Sequence, residues 1–93
     1  MRVLRLVVMM SLAARAAVAE PPAGATSCSG CHIASTNLET PVPPIRGRDP
    51  TEIIAVMQEF RSGKRPATVM GRIAKGFSDD EIRQIAAWLA TQH

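Results

Sequence analysis

The stretch Cys28-Ser29-Gly30-Cys31-His32 decides how the rest of this chain is interpreted. Two thiols three positions apart on a helical turn lie on one face, so each can bond a vinyl group of the same porphyrin. The histidine that follows the second thiol directs an imidazole nitrogen at the iron. The spacing therefore predicts one haem c attached covalently through Cys28 and Cys31, with His32 as an axial ligand of the iron.

Three other uses of the two thiols compete with haem attachment. A disulfide between Cys28 and Cys31 would close a very small loop and would restrain little of the unfolded chain. Zinc requires about four ligands, and only His32 and the terminal His93 could join the two thiols. A thioredoxin-like dithiol would require strands and a βαβ pattern, which the sequence lacks. The histidine directly after the second cysteine favours haem over all three.

Residues 1–19 have the pattern of a secretory signal peptide. Arg2 and Arg5 precede a short apolar segment, and the stretch ends in Ala17-Val18-Ala19, a small-x-small cleavage site. The apolar run is short for a membrane-spanning helix of about 20 residues, and an uncleaved anchor is the alternative. We therefore expect export to the periplasm and a single mature domain over residues 20–93 without a membrane span.

The charge balance of the mature domain differs from that of the whole chain. The 93 residues contain 11 Lys and Arg and 8 Asp and Glu, a formal charge of +3. Arg2, Arg5 and Arg15 lie in the predicted signal peptide, so the mature domain contains eight basic and eight acidic residues. This balance gives no reason to expect a nucleic-acid partner. A domain this small has barely enough apolar side chains for a core, and a buried haem would supply the missing apolar mass.

Capping residues and apolar spacing predict an all-α fold with three to four helices wrapped around the haem. Residues 23–32 are expected to form a short helix, and residues 34–48 a proline-rich loop. Asp49 as the cap, Pro50 at the first position and Glu52 as the acid of a capping box predict the start of the next helix. Ser62-Gly63 ends that helix, whose one buried face is expected to consist of Ile53, Val56, Met57 and Phe60.

The last third of the chain is expected to contain an irregular segment and one more helix. Lys64–Phe77 is interrupted by Pro66, Gly71 and Gly76, and the segment has room for one helical turn. Ser78 through Glu81 is a second capping box. The final helix that follows is expected to bury one face, with Trp88 beside it; that face consists of Ile82, Ile85, Ala86 and Leu89.

The sixth ligand of the iron is expected to be Met70. It lies in the irregular segment, where a loop can deliver a thioether to the iron, with loop packing as the alternative. Met57 lies on the apolar face of a helix and is expected to fill the core, and His93 is the last residue and frays. Ligation by Met and His raises the reduction potential and blocks small-molecule chemistry at the iron. The chain is therefore expected to transfer electrons and not to be an enzyme by itself.

The proline-rich loop is expected to orient the axial histidine. A metal-bound histidine usually donates its second ring N–H to a carbonyl or carboxylate. The carbonyl of Pro43 is the expected acceptor, with Pro44 as the second choice. Ile45 is expected to pack on the haem edge, although a merely rigid turn fits the same residues.

The order of these features resembles a class I cytochrome c over the whole mature chain. It consists of the Cys-x-x-Cys-His motif, the Pro-x-Ile-x-Gly stretch at Pro43–Gly47, a helix, a methionine segment and a C-terminal helix. Residues 60–82, FRSGKRPATVMGRIAKGFSDDEI, more specifically resemble the cytochrome subunit of flavocytochrome c sulfide dehydrogenase. Many members of that family carry two haem domains, whereas this chain has room for one, and Ile33 stands where Gly is common.

The resemblance implies a function for the chain within a complex. In that family a flavoprotein subunit, which is expected to hold FAD, oxidises sulfide in the periplasm and passes electrons one at a time to the haem. The chain would form a heterodimer with such a subunit and reduce a downstream acceptor cytochrome. The alternative is a free, diffusible cytochrome c that shuttles electrons between respiratory or photosynthetic complexes.

Basic residues cluster around the methionine segment. Arg65 and Arg72 are expected either to steer a partner or to pair with haem propionates, or else to form a solvated loop surface. The solvated surface is favoured for Lys64 and Lys75. The aromatic residue of the family segment, Phe77, is expected among the residues that pack around the haem.

Overall fold

A computed structural model describes residues 20–33 and 40–93, which contain four α-helices and no strand. The predicted all-α fold is confirmed for this part of the chain. The predicted signal peptide, residues 1–19, lies outside the described residues. The helices are α1 (Ala25–Cys28), α2 (Pro50–Ser62), α3 (Met70–Ala74) and α4 (Asp79–Ala90). None of them, over the residues described, has the length and apolar character needed to cross a membrane.

Helix α2 begins and ends where the sequence predicts. The Asp49 side chain accepts a hydrogen bond of 2.8 Å from the Thr51 N–H, Pro50 occupies the first position, and Gly63 ends the helix at φ +80°. The expected capping-box role of Glu52 is not observed. Its carboxylate instead accepts a 2.8 Å hydrogen bond from Arg48, because an arginine one turn earlier offers a charged donor.

The predicted burial of the apolar face of α2 is wrong. No residue of α2 is buried by the protein itself. Its apolar side chains stay half-exposed although α2 contacts α3 and α4, because they line a cavity between these helices; these are Ile53, Val56, Met57 and Phe60.

Helix α4 supplies most of the buried core. The Ser78 hydroxyl accepts from the Glu81 N–H, and the Glu81 carboxylate accepts from the Ser78 N–H, which confirms the capping box. The hydrogen bond from the Ser78 N–H lowers the pKa of Glu81. The predicted apolar face is buried, and Trp88 packs beside it; that face consists of Ile82, Ile85, Ala86 and Leu89.

Helix α1 is shorter than predicted and ends within the cysteine motif. It begins after Gly24, whose φ is +84°, and Ala25 is fully buried against Ile85 and Leu89 of α4. A Cβ at Gly24 would lie 2.5 Å from Cε1 of Phe77. The left-handed backbone and the close ring therefore set the start of the helix at Ala25.

Replacing Gly24 with Ala is expected to destabilise the holoprotein by about 2 kcal/mol or more, because left-handed strain adds to the collision with Phe77. Urea unfolding measures this loss. Gly63→Ala is the matched control, since its φ is also positive but a Cβ there meets no described atom within 4 Å. Equal losses for the two variants would show that the contact with the ring contributes nothing.

Candidate haem site

A cavity of about 470 Å³ lies between the cysteine motif, the proline-rich loop and helices α2, α3 and α4. Its volume lies in the range of small-molecule and cofactor sites. Its walls are mostly aliphatic and aromatic, and α4 provides one of them; the lining residues from α4 are Ile82, Ile85 and Leu89. The cavity therefore suits a large apolar group that the protein contacts on several sides.

Both cysteines and the histidine of the motif line this cavity. The N–H groups of Cys31 and His32 donate to the carbonyl of Cys28 at 3.3 and 2.8 Å, so the motif forms a tight turn. The two cysteines are free thiols; Cys28 is half-buried and Cys31 is exposed. Burial raises the pKa of the Cys28 thiol. The turn thus presents two thiols and one imidazole to the same cavity.

A hydrogen bond from the proline-rich loop orients the imidazole. His32 Nδ1 lies 2.7 Å from the carbonyl oxygen of Pro43. A carbonyl only accepts, so Nδ1 carries the proton and Nε2 keeps its lone pair for a metal. This is the hydrogen bond that the sequence predicts for Pro43. Ligation of the iron by His32 stays a prediction.

The structure brings most of the other predicted residues to the cavity. Met70, Ile45, Phe77 and Arg65 all line it. The guanidinium of Arg65 pairs with the Glu59 carboxylate at 2.8 Å and lies 5.8 Å from the centre of the Phe60 ring. These two contacts hold the Arg65 charge at the rim of the cavity.

Arg72, in the methionine segment, is exposed and does not line the cavity, which agrees with the solvated-surface alternative for this residue. Met70 is the first residue of the short helix α3, which is the helical turn that the prediction for Lys64–Phe77 allowed. Five residues are too few for an apolar period to be recognised, which is why the sequence left α3 undefined.

Several lining residues were not predicted as part of a site. Met57 lines the cavity instead of filling the core. The ion pair between Arg48 and Glu52 also lines the cavity. The sequence pattern already placed Met57 on the apolar face of α2 together with Phe60, and this face lines the cavity. Nearby, Arg46 Nε is buried and has no hydrogen-bond partner among the described residues, so an anionic group bound beside it would satisfy that donor.

The donor set fits a haem c. Two thiols can form thioether bonds, and an imidazole nitrogen and a methionine thioether could both ligate the iron. The apolar walls match the porphyrin. Zinc fits less well, because groups of three or more His, Cys, Asp and Glu side chains that could hold a metal ion are not found in residues 20–33 and 40–93.

Comparison with known proteins supports this interpretation. The chain is 42% identical over 62 residues to the cytochrome subunit of sulfide dehydrogenase from Chlorobaculum tepidum, covering 67% of this chain and 56% of that protein. It is 31% identical over 71 residues to cytochrome c4 from Pseudomonas aeruginosa, covering 75% of this chain and 35% of that protein. It is also 33% identical over 67 residues to the thiosulfate dehydrogenase electron acceptor from Stutzerimonas stutzeri, covering 68% and 31%.

No protein-family model matches the chain. The chain spans little more than half of the first of these relatives and about a third of the other two. The similarity to cytochrome c4 nevertheless agrees with the helical fold. The chain belongs to the class I c-type cytochromes and resembles, over two thirds of its length, the cytochrome subunit of a sulfide dehydrogenase.

Proposed function

We propose that this chain is a periplasmic electron-transfer subunit that carries one haem c, attached through Cys28 and Cys31 and ligated by His32 and Met70. The observation that carries the proposal is that these four side chains line one apolar cavity. Haem c binding is a property of the cytochrome c family. The number of haems, the ligand pair and the export of the chain after cleavage of residues 1–19 are part of the proposal.

The residues around the cavity account for an electron-transfer role. When bound, a haem supplies an iron that takes up and releases one electron at a time. The carbonyl of Pro43 fixes the orientation of His32, and Met70 would ligate the iron and so leave no open position for a small molecule. The apolar walls from α2 and α4 keep water away from the site. The chain therefore supports electron transfer and is not an enzyme by itself.

The proposed electron donor is a flavoprotein subunit that holds FAD and oxidises sulfide. Support comes from the relative at 42% identity, which is the cytochrome subunit of sulfide dehydrogenase. The chain would form a heterodimer with that subunit and pass each electron to a downstream acceptor cytochrome.

An apolar rim favours a stable subunit over a diffusing shuttle. Val69 is 58% exposed and Ile73 is 40% exposed, and they flank Met70 beside the cavity. Permanent interfaces are more apolar than transient ones. A subunit interface that covered these side chains would bring the partner next to the site of electron transfer.

The second candidate function is a free cytochrome that shuttles electrons between complexes. The similarities to cytochrome c4 and to a thiosulfate dehydrogenase electron acceptor favour it. Such a protein would need only a small interface with each partner.

Absorbance spectra of the protein purified from its native source test the proposal. We expect a flavin band that co-purifies with the haem bands, and rapid haem reduction when a small excess of sulfide is added as the electron donor. A haem spectrum without flavin that does not respond to sulfide would overturn the subunit assignment and leave the shuttle.

Replacing Val69 with Asp is expected to weaken binding of the flavoprotein about tenfold or more, because a charge would be buried in an apolar interface. Surface plasmon resonance with the purified partner measures the affinity. Ala87→Asp is the control, since Ala87 is exposed on α4 and does not line the cavity. Equal affinities for the two variants would contradict an interface at the apolar rim.

A further inference from the structure

The side chain of Arg61, in the last turn of α2, connects three points of the chain that lie beyond Met70. Its Nη1 donates to Asp79 Oδ1 at 2.5 Å, its Nη2 donates to the carbonyl of Phe77, and its Nε lies 3.5 Å from the carbonyl of Ala74. A guanidinium can do this because its five N–H donors are held in one plane.

The ion pair between Arg61 and Asp79 differs from the other ion pairs in the part of the chain that the structure describes. The pairs Arg48–Glu52 and Arg83–Asp80 join residues one turn apart, and Arg65–Glu59 joins the end of α2 to the residues just after it. Arg61–Asp79 joins two different helices, and the Arg61 side chain is only 29% exposed. The Asp79 side chain is 60% exposed, so the guanidinium is the more buried partner. Its hydrogen bond to the carbonyl of Phe77 and its contact with that of Ala74 add to the ion pair, which the exposed pairs within one turn do not have.

The segment that Arg61 binds carries one wall of the cavity. Ala74 ends α3, which begins at Met70, and Phe77 lies between α3 and α4. Met70 and Phe77 both line the cavity, whereas Arg61 does not. Arg61 thus fixes the far end of a short helix whose first residue is the expected iron ligand. A helix of five residues has little stability of its own and needs such a contact to hold its position.

We propose that Arg61 is the positioning residue for the Met70 side of the haem site: it holds residues 70–79 against α2 and so keeps the Met70 thioether on the iron. The inference rests on the proposed function in one respect, which is that Met70 is the ligand. Without the guanidinium the segment would open more often. The fraction of molecules in which the sixth position is accessible would rise in proportion, and the apparent affinity for a competing ligand would rise with it.

Binding of imidazole to the oxidised holoprotein, followed by absorbance, tests this role. We expect Arg61→Met to bind imidazole at least about tenfold more tightly than the unaltered protein, because the open fraction rises by that factor. Arg61→Lys should bind imidazole with an affinity between those of Arg61→Met and the unaltered protein, since an ammonium cannot reach three acceptors at once. Arg83→Met is the matched control, because it removes a neighbouring but exposed ion pair within α4.

Met70→Leu separates the positioning role from the ligand assignment. If it tightens imidazole binding strongly and Arg61→Met does not differ from Arg83→Met, the positioning role is wrong. If Met70→Leu has no effect, the ligand assignment fails and the positioning role fails with it.

Amide hydrogen exchange gives a second readout of the positioning role. It is measured on Arg61→Met, or on Arg61→Lys if Arg61→Met does not fold. We expect exchange to accelerate at residues 70–77 and to stay unchanged at the start of α2. Unchanged exchange at residues 70–77 would overturn the proposal.

Discussion

Replacing Cys28 and Cys31 together with Ser is expected to abolish covalent haem attachment, because a hydroxyl does not form the thioether bond. The change should also prevent stable folding, since the apolar face of α2 lines the cavity and no residue of α2 is buried by the described chain alone. Acid–acetone extraction measures the first effect and circular dichroism the second. Each single variant should keep one thioether bond and an intermediate stability.

Ser29→Ala is the control for the cysteine variants, since it lies within the motif and carries neither thiol. It should keep haem that resists extraction. Haem that still resists extraction in the double cysteine variant would contradict attachment at these positions. A folded and stable double variant without haem would contradict the role of haem as the core of the domain.

Replacing Met70 with Leu is expected to lower the reduction potential by roughly 0.1 V or more, within the about 0.8 V range that axial ligands set. The variant keeps the apolar volume and removes only the thioether ligand. The iron then loses the ligand that stabilises its reduced form. Spectroelectrochemical titration of the holoprotein measures the potential.

Met57→Leu is the control for this measurement, because both methionines line the cavity. Met57 lies in the middle of the 13-residue helix α2, whereas Met70 begins the short helix α3. The Met57 variant should keep the potential of the unaltered protein. The reverse result, a large drop for Met57→Leu alone, would assign the iron ligand to α2.

The two long helices were predictable because their signals are local. Asp49, Pro50 and Gly63 delimit α2, and the Ser78–Glu81 capping box begins α4. The burial of the α2 face was not predictable in the same way. Periodic apolar residues show that a face is covered but do not show whether protein or cofactor covers it. The start of α1 was also missed, because it depends on the Phe77 ring beside Gly24.

The candidate site was predictable where the chemistry lies in one motif, and less so where it depends on tertiary contacts. The cysteines and His32 are neighbours in the sequence, and the stiff loop made Pro43 a specific expectation for the hydrogen bond that the structure shows. The contact between Arg61 and the carbonyl of Phe77 joins residues 16 positions apart. No local pattern predicts such a contact, because it depends on how α2 and α4 pack.

The mass of the intact mature protein tests the central claim most directly. The account predicts the mass of residues 20–93 plus one haem, and this mass should persist under denaturing conditions because the bonds are covalent. A mass equal to the polypeptide alone, or to the polypeptide less two hydrogens as a disulfide requires, would contradict the account.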